Sequence, residues 1–156
     1  MKQEIIISND KERSALLKEF YAGNSSSAYE LMGAHPCTVD GKDYVVFRVW
    51  APNALNVSVI GDFNDWNESA NPMAKDPGGV WECCVENVVQ YNCYRYCVET
   101  EENELLYKSD PYGFHFETRP NNATHYYDIS GFKWTDKSWL AKRKKVRPQG
   151  SPMNIY

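Results

Sequence analysis

The chain has 156 residues, which is enough for one domain with additional arms. Its formal net charge of -4 argues against a general nucleic-acid binder, and no apolar run approaches the roughly 20 residues of a membrane span. The short, acidic N-terminus does not resemble a signal peptide. We therefore expect a monomeric cytoplasmic protein without nucleic-acid or membrane partners, and the aromatic content of 14% favours β-sheets.

Residues 1–34 predict a helical N-terminal arm. Asp10 is a candidate N-cap for a helix over residues 11–21, where apolar residues recur at helical spacing. A second short helix is predicted to start at Ser27 and to end at Gly33, because Ser27 and Glu30 have the spacing of a capping box. We expect the first helix to dock on the main domain through its apolar stripe. The stripe consists of Leu16, Leu17 and Phe20.

Residues 35–131 predict a β-sandwich, so the expected fold class is mainly β with a short helical N-terminal arm. Short runs of β-branched and aromatic residues alternate there with turns rich in Gly, Pro and Asn. The strand at residues 91–100 places Tyr94 on one face and Arg95 on the other. The predicted strands span residues 44–50, 57–60, 80–85, 91–100, 105–107 and 124–129.

Residues 132–156 have the pattern of a connector followed by the first residues of another strand. The basic run at residues 142–145 is short and lies in an acidic chain, so we interpret it as a solvated helix face rather than a polyanion site. Trp134 and Trp139 would suit an interdomain surface. The apolar pattern at residues 153–156 is typical of the start of a strand in a further domain.

The five cysteines predict reduced, mostly buried thiols. Cys83 and Cys84 are adjacent and would point to opposite faces of a strand. Cys93 and Cys97 share a face but lie too far apart along a strand to form a disulfide. The three histidines are scattered and form no ligand spacing with the cysteines, so we expect neither a metal site nor a cofactor.

The turn at Gly61–Asn67 is the strongest candidate for a binding loop. It combines turn-forming residues with Trp66, whose flat apolar face beside carboxamides such as that of Asn64 suits a sugar ring. The alternative is that Trp66 folds back over the sandwich edge as part of the core.

No catalytic apparatus is evident in the sequence. Asp62 and Asp65 share a loop, but both are natural turn residues and nothing marks one of them as an acid beside an ionised partner. The chain is too short for a (β/α)₈ barrel and lacks its alternating pattern. Nucleophile elbows, phosphate loops and metal-binding histidine pairs are also missing from the sequence. These observations favour a binding or scaffolding module.

Five motifs follow one another in an order and spacing that resemble a known family. They are Phe47–Ala54, Val57–Asn67, Gly79–Glu82, Tyr94–Tyr96 and Lys108–Tyr112. Together they resemble the N-terminal module of 1,4-α-glucan branching enzymes. This starch- and glycogen-binding module is also found in isoamylases and in the β subunit of AMP-activated protein kinase. Residues 29–36 are similar to the approach to this module, and residues 152–156 resemble the first strand of the enzyme's catalytic barrel.

The resemblance implies an immunoglobulin-like β-sandwich. It also implies a parent glycosyltransferase that cleaves an α-1,4-glucan and transfers the segment to a 6-hydroxyl, which makes the α-1,6 branches of glycogen. The nucleophile and acid of such an enzyme lie on the barrel, so this module is expected to be non-catalytic. Its expected partners are an α-1,4-glucan, such as glycogen or a maltooligosaccharide, and its own catalytic barrel.

The resemblance also carries site residues over to this sequence. Trp66 falls on the family's first stacking tryptophan, Arg95 on a lysine that bonds sugar hydroxyls, and Tyr107 on a second stacking aromatic. A further polar contact falls near Thr124 or His125, where the family's asparagine is missing. Each residue also has a structural alternative: a carboxylate partner for Arg95, a cap on the sandwich for Tyr107, and a plain strand position for His125.

Two other functions compete with a branching-enzyme module. A stand-alone regulatory module could tether glycogen to a partner protein, as in the kinase subunit. An immunoglobulin-like domain could instead mediate protein contacts without affinity for sugar. The apolar strand pattern at residues 153–156 favours the branching-enzyme module over the stand-alone module, because a self-contained module has no need of such a strand.

Overall fold

The computed structural model describes residues 11–145, which form two packed antiparallel sheets and two helices. Helix α1 (Lys11–Tyr21) confirms the predicted arm helix, and helix α2 (Lys137–Arg143) carries part of the basic run on its exposed last turn. The predicted cap at Asp10 and the strand pattern at residues 153–156 lie outside the described residues. In that described part, no helix has the length and apolar character needed to cross a membrane.

Nine strands build the two sheets. In chain order they are β1 (Gly33–Val39), β2 (Lys42–Trp50), β3 (Asn56–Gly61), β4 (Ala74–Lys75), β5 (Val80–Val85), β6 (Cys93–Glu99), β7 (Leu105–Lys108), β8 (His115–Phe116) and β9 (Thr124–His125). The first sheet has the order β1-β2-β5-β4. The second has the order β3-β6-β9-β8. Two strands share the edge of β6 that faces away from β3: β9 pairs with the start of β6, and β7 pairs with its later residues.

Alternation along the strands creates the core between the sheets. Phe47 of the first sheet and Tyr94 of the second are both almost fully buried, and their ring centroids lie 5.0 Å apart in an edge-to-face arrangement. Val59 and Tyr96 complete the same layer. The predicted alternation of β6 is therefore confirmed, and Arg95 lies on the outer face of the second sheet.

A buried carboxylate ties the segment after β7 to strands β6 and β9 of the second sheet. Asp110 is only 1% exposed, and its Oδ2 accepts hydrogen bonds from the hydroxyls of Tyr94 (2.7 Å) and Tyr96 (3.1 Å). Its Oδ1 accepts the backbone N–H of Tyr112 at 2.8 Å, and its own N–H donates to Thr124 Oγ1 at 2.8 Å. Burial raises the pKa of Asp110, although the tyrosine and backbone donors act in the opposite direction.

The helical arm covers the outer face of the first sheet. Leu17 and Val80 belong to a second buried apolar cluster, and Phe20 packs edge-on against Trp50 at 5.8 Å between ring centroids. Beneath the arm, Arg48 forms a buried ion pair with Glu82. The expected docking of the arm through its apolar stripe is thus observed, with a charge pair enclosed under it.

Several predicted boundaries are wrong. The second helix begins after Ser27 as predicted, but it is a 3-10 helix that ends at Glu30, and the Ser27 side chain makes no capping bond, so the predicted capping box is absent. β1 begins at Gly33, inside the segment expected to be helical arm. The final predicted strand at 124–129 is reduced to Thr124–His125, because only these two residues find partners on β6 and β8. The two-residue strands β4 and β8 were not predicted.

All five cysteines are free thiols in the structure. Cys83 and Cys97 are buried, whereas the other three are half-buried. Cys37 and Cys84 lie on the two strands that flank β2, and their sulfur atoms are 3.9 Å apart. Among the residues from 11 to 145, no group of three or more His, Cys, Asp or Glu side chains is placed to hold a metal ion.

Candidate functional site

The loop after β3 presents Trp66 to solvent. Asp62–Asn64 form a 3-10 turn, after which Asp65 and Trp66 adopt left-handed backbone angles, with φ values of 53° and 59°. The backbone N–H of Trp66 donates to the carbonyl of Gly61 at 3.0 Å and closes the turn. Trp66 is 39% exposed and does not belong to the buried core, so the alternative of a core tryptophan is wrong.

Asp62 orients the indole. Its Oδ1 accepts the Trp66 Nε1–H at 3.1 Å, and its Oδ2 accepts the backbone N–H of Cys93 at 2.7 Å. One carboxylate therefore ties the ring to the first residue of β6. The sequence identified Asp62 only as a turn residue, because its partner Cys93 is 31 positions away and leaves no local signal.

The side chain of Asn64 holds the loop together through hydrogen bonds. Its Nδ2 donates to the carbonyl of Val59 (3.0 Å) and to Asn71 Oδ1 (2.7 Å), while its Oδ1 accepts the N–H of Gly61 at 2.9 Å. Both amide hydrogens are used, so the side chain has no N–H left for a sugar hydroxyl. The structure shows that Asn64 holds the loop, and the sugar contact expected there stays a prediction in which Oδ1 would accept a hydroxyl.

Arg95 lies beside the indole. It pairs with Ile60 across β3 and β6, and its guanidinium carbon is 5.9 Å from the centroid of the Trp66 ring. This distance is within the range of a cation–π contact. Its buried Nε has no hydrogen-bond partner, and no carboxylate pairs with its guanidinium, within the part of the chain that the structure describes. The guanidinium therefore lies next to a flat ring, while its partnerless Nε is shielded from solvent.

Tyr107 lies on the same face, opposite Cys97, which is two residues after Arg95 on β6. Its ring is 45% exposed, and its hydroxyl donates a hydrogen bond to Glu68, two residues after Trp66. This hydrogen bond raises the pKa of Tyr107. Glu68 thus ties Tyr107 to the chain segment that follows Trp66. Sequence reasoning missed it because the bond joins positions 39 residues apart.

His125 lies at the other end of this face. It pairs with Cys93 of β6, whereas Tyr107 pairs with Cys97, four residues farther along the same strand. At about 3.3 Å per residue, His125 and Tyr107 are therefore about 13 Å apart. Its Nδ1 is 2.9 Å from the carbonyl oxygen of Tyr91. The structure brings Trp66, Arg95 and Tyr107 together and places His125 in a separate group of rings.

The sequence profile of the carbohydrate-binding module 48 family (isoamylase N-terminal domain) matches residues 31–113, which include the Trp66, Arg95 and Tyr107 positions. The chain belongs to this family. His125 lies beyond the matched segment.

Branching enzymes are among the relatives of this family member. It is 43% identical over 137 residues to the 1,4-alpha-glucan branching enzyme GlgB of Thermosynechococcus vestitus, covering 88% of this chain and 18% of that enzyme. It is 39% identical to the GlgB of Bacillus cytotoxicus, covering 90% of this chain and 22% of the enzyme. The chain therefore spans about a fifth of the length of these relatives.

Solved structures show the same fold. The apo pullulanase of Paenibacillus barengoltzii superposes with a TM-score of 0.50 at 23% identity, over 70% of this chain and 18% of that enzyme. The pullulanase of Bacillus acidopullulyticus gives a TM-score of 0.50 at 24% identity, over 62% of this chain and 12% of the other. The expected β-sandwich of the mainly β class is confirmed.

Proposed function

We propose that this carbohydrate-binding module binds α-1,4-glucan through the surface formed by Trp66, Arg95 and Tyr107. The observation that carries the proposal is the exposed indole of Trp66, held by Asp62 beside the guanidinium of Arg95. The open face of the ring suits the apolar C–H groups of a glucose unit. Arg95 would donate to its hydroxyls, and Tyr107 would support a neighbouring unit of the chain.

A non-catalytic role fits this surface. The nearest carboxylate to the indole, Asp62, accepts hydrogen bonds from both Trp66 and Cys93, so its oxygens are engaged in holding the loop. Glu68 likewise binds the Tyr107 hydroxyl. We infer that the chain is the glucan-binding part of a cytoplasmic branching enzyme whose chemistry, the formation of α-1,6 branches, takes place on a separate catalytic barrel.

Docking to that barrel is the second part of the proposal. Trp134 is 73% exposed, and Phe132 and Trp139 are also largely exposed near helix α2. Phe132 and Trp134 pack edge-to-face at 4.9 Å and border a surface hollow of about 620 Å³. Exposed aromatic surface of this kind marks protein contacts. We propose that it faces the catalytic domain, as the interdomain surface expected for Trp134 and Trp139.

The test is glycogen co-sedimentation together with calorimetric titration of the 156-residue chain with maltoheptaose. Stacking on one or two aromatic rings should give a Kd of about 10⁻⁴ to 10⁻³ M. Trp66→Ala should abolish binding, whereas Tyr29→Ala, which removes an exposed tyrosine from the arm, should leave it unchanged.

Three results would contradict the proposal. Equal binding by the wild type and Trp66→Ala would remove Trp66 from the site. Absence of any binding at millimolar sugar would favour a domain that only mediates protein contacts. Measurable branching activity of the isolated chain would overturn its non-catalytic role.

A further inference from the structure

Two exposed aromatic residues are held in left-handed backbone conformations. Six non-glycine residues in the described part have positive φ, and four of them are Asp or Asn, which tolerate this region through their short polar side chains. The other two are Trp66, with φ of 59°, and Tyr91, with φ of 70°. An aromatic residue gains nothing locally from this conformation, so each is kept there by its surroundings.

The surroundings of Tyr91 form a group of four rings, the Tyr91 cluster, which consists of Tyr91, His115, His125 and Tyr127. The Tyr91 ring lies 5.6 Å from His115 and 5.5 Å from Tyr127, centroid to centroid. His115 and Tyr127 stack at 5.9 Å with an interplanar angle of 22°. The Tyr91 N–H donates to the carbonyl of Tyr126 at 2.9 Å, which fixes the backbone below the ring.

The cluster lies on the same sheet face as the proposed glucan site. Cys93, His125 and His115 are direct neighbours across β6, β9 and β8, so their side chains share one face. Arg95 is two residues from Cys93 on that face. His115 is two strands away from Cys93, and Arg95 is two residues farther along β6. With about 3.3 Å per residue and about 4.8 Å per strand, His115 lies about 12 Å from Arg95.

The cluster combines open ring faces with unused polar atoms. Tyr91 is 54% exposed, and His115 is exposed as well. Within residues 11–145, the hydroxyls of Tyr91 and Tyr127 and the ring nitrogens of His115 make no hydrogen bond. The cluster therefore offers flat apolar faces edged by donors and acceptors, which is the same combination that Trp66 and Arg95 offer.

We propose that the Tyr91 cluster is a second subsite for the same neutral α-glucan chain. It rests on the proposed function, and it adds a preference for oligosaccharides long enough to reach from Arg95 to His115. A short oligosaccharide would occupy the Trp66 end alone. A longer one would also contact Tyr91 and the rings beside it.

The experiment compares maltotriose and maltoheptaose by calorimetry on the 156-residue chain and its Tyr91→Asn variant. Asparagine tolerates positive φ, which offsets part of the stability lost with the contacts of the Tyr91 ring to His115, His125 and Tyr127, so the variant should stay folded while lacking the ring. The variant should lose about three- to tenfold in affinity for maltoheptaose, the worth of one aromatic contact, with maltotriose binding unchanged. His115→Ala should have the same effect, and Tyr29→Asn on the arm is the matched control.

The outcomes separate this inference from the proposed function. Binding of both sugars that is lost in Trp66→Ala but unaffected in Tyr91→Asn and His115→Ala would refute the second subsite and leave the first intact. Equal wild-type affinity for the two sugars would also refute it. If the wild type binds neither sugar, both proposals fail together. A Tyr91→Asn variant with lower thermal stability but wild-type affinity for maltoheptaose would assign the cluster a purely structural role.

Discussion

Replacing Asp110 with alanine should destabilise the sandwich by about 2–4 kcal/mol, because buried donors would lose their acceptor. The Tyr94 hydroxyl has Asp110 as its acceptor at 2.7 Å and would be left without one in the core. The Tyr96 hydroxyl would retain only the carbonyl of Arg48 at 3.3 Å. Tyr112 is half-buried, so its N–H can form a hydrogen bond with water in place of the one to Asp110.

The magnitude follows from these partners. A buried hydroxyl that loses its acceptor costs about 1–3 kcal/mol, so Tyr94 contributes the full amount and Tyr96 a part of it. Removing a carboxylate that is 1% exposed returns some of the desolvation cost. The measurement is urea unfolding at pH 7 followed by circular dichroism, in which the midpoint should fall while the slope stays constant.

Two further variants test the reasoning. Tyr94→Phe removes one donor and leaves the carboxylate in place, so it should cost less than Asp110→Ala. Asp110→Asn keeps an oxygen for the hydroxyls but turns an amide N–H₂ toward the Tyr112 N–H, so its cost should be intermediate. A loss of less than about 1 kcal/mol for Asp110→Ala would show that the hydroxyls find other acceptors and that Asp110 is not needed to satisfy them.

Two more predictions follow from the contacts of acidic side chains. Because burial raises the folded-state pKa of Asp110 above its ordinary 3.8, the folded chain holds this proton more tightly, and the Asp110 contribution to stability should fall as the pH rises from about 4 through the folded pKa. Comparing the unfolding of the wild type and Asp110→Asn at several pH values measures this contribution. A contribution that rises with pH would mean that the folded-state pKa of Asp110 is lowered instead. Glu68→Ala and Tyr107→Phe should each weaken maltoheptaose binding about two- to fivefold and be non-additive when combined, since both break one hydrogen bond. Glu68→Gln should restore most of the affinity, and additive effects would separate the two residues.

The strands with strong periodic patterns could be predicted from the sequence. β5 spans Val80–Val85 as expected, and β6 alternates between core tyrosines and an outer face with Arg95. Local patterning carries this information because a strand half-buried in a sandwich needs alternate apolar residues wherever its neighbours lie. The family motifs predicted Trp66, Arg95 and Tyr107 as site residues, and the structure places these three residues on one face.

The remainder depended on contacts between distant positions. β4 and β8 have two residues each and exist only because β5 and β9 provide their hydrogen bonds. The free Ser27 side chain shows that a capping pattern forms only where the following turn has the right backbone geometry.

The sequence alone determined the fold class, the arm helix α1 and the turn at residues 61–67 that carries Trp66, since each follows from residues close together in the chain. Tertiary structure alone decided how that loop is held and what lies beside it. Asp62 reaches Cys93, Glu68 reaches Tyr107, and the four rings of the Tyr91 cluster come from three separate segments. Such side-chain contacts form only after the strands have paired, so no local pattern specifies them.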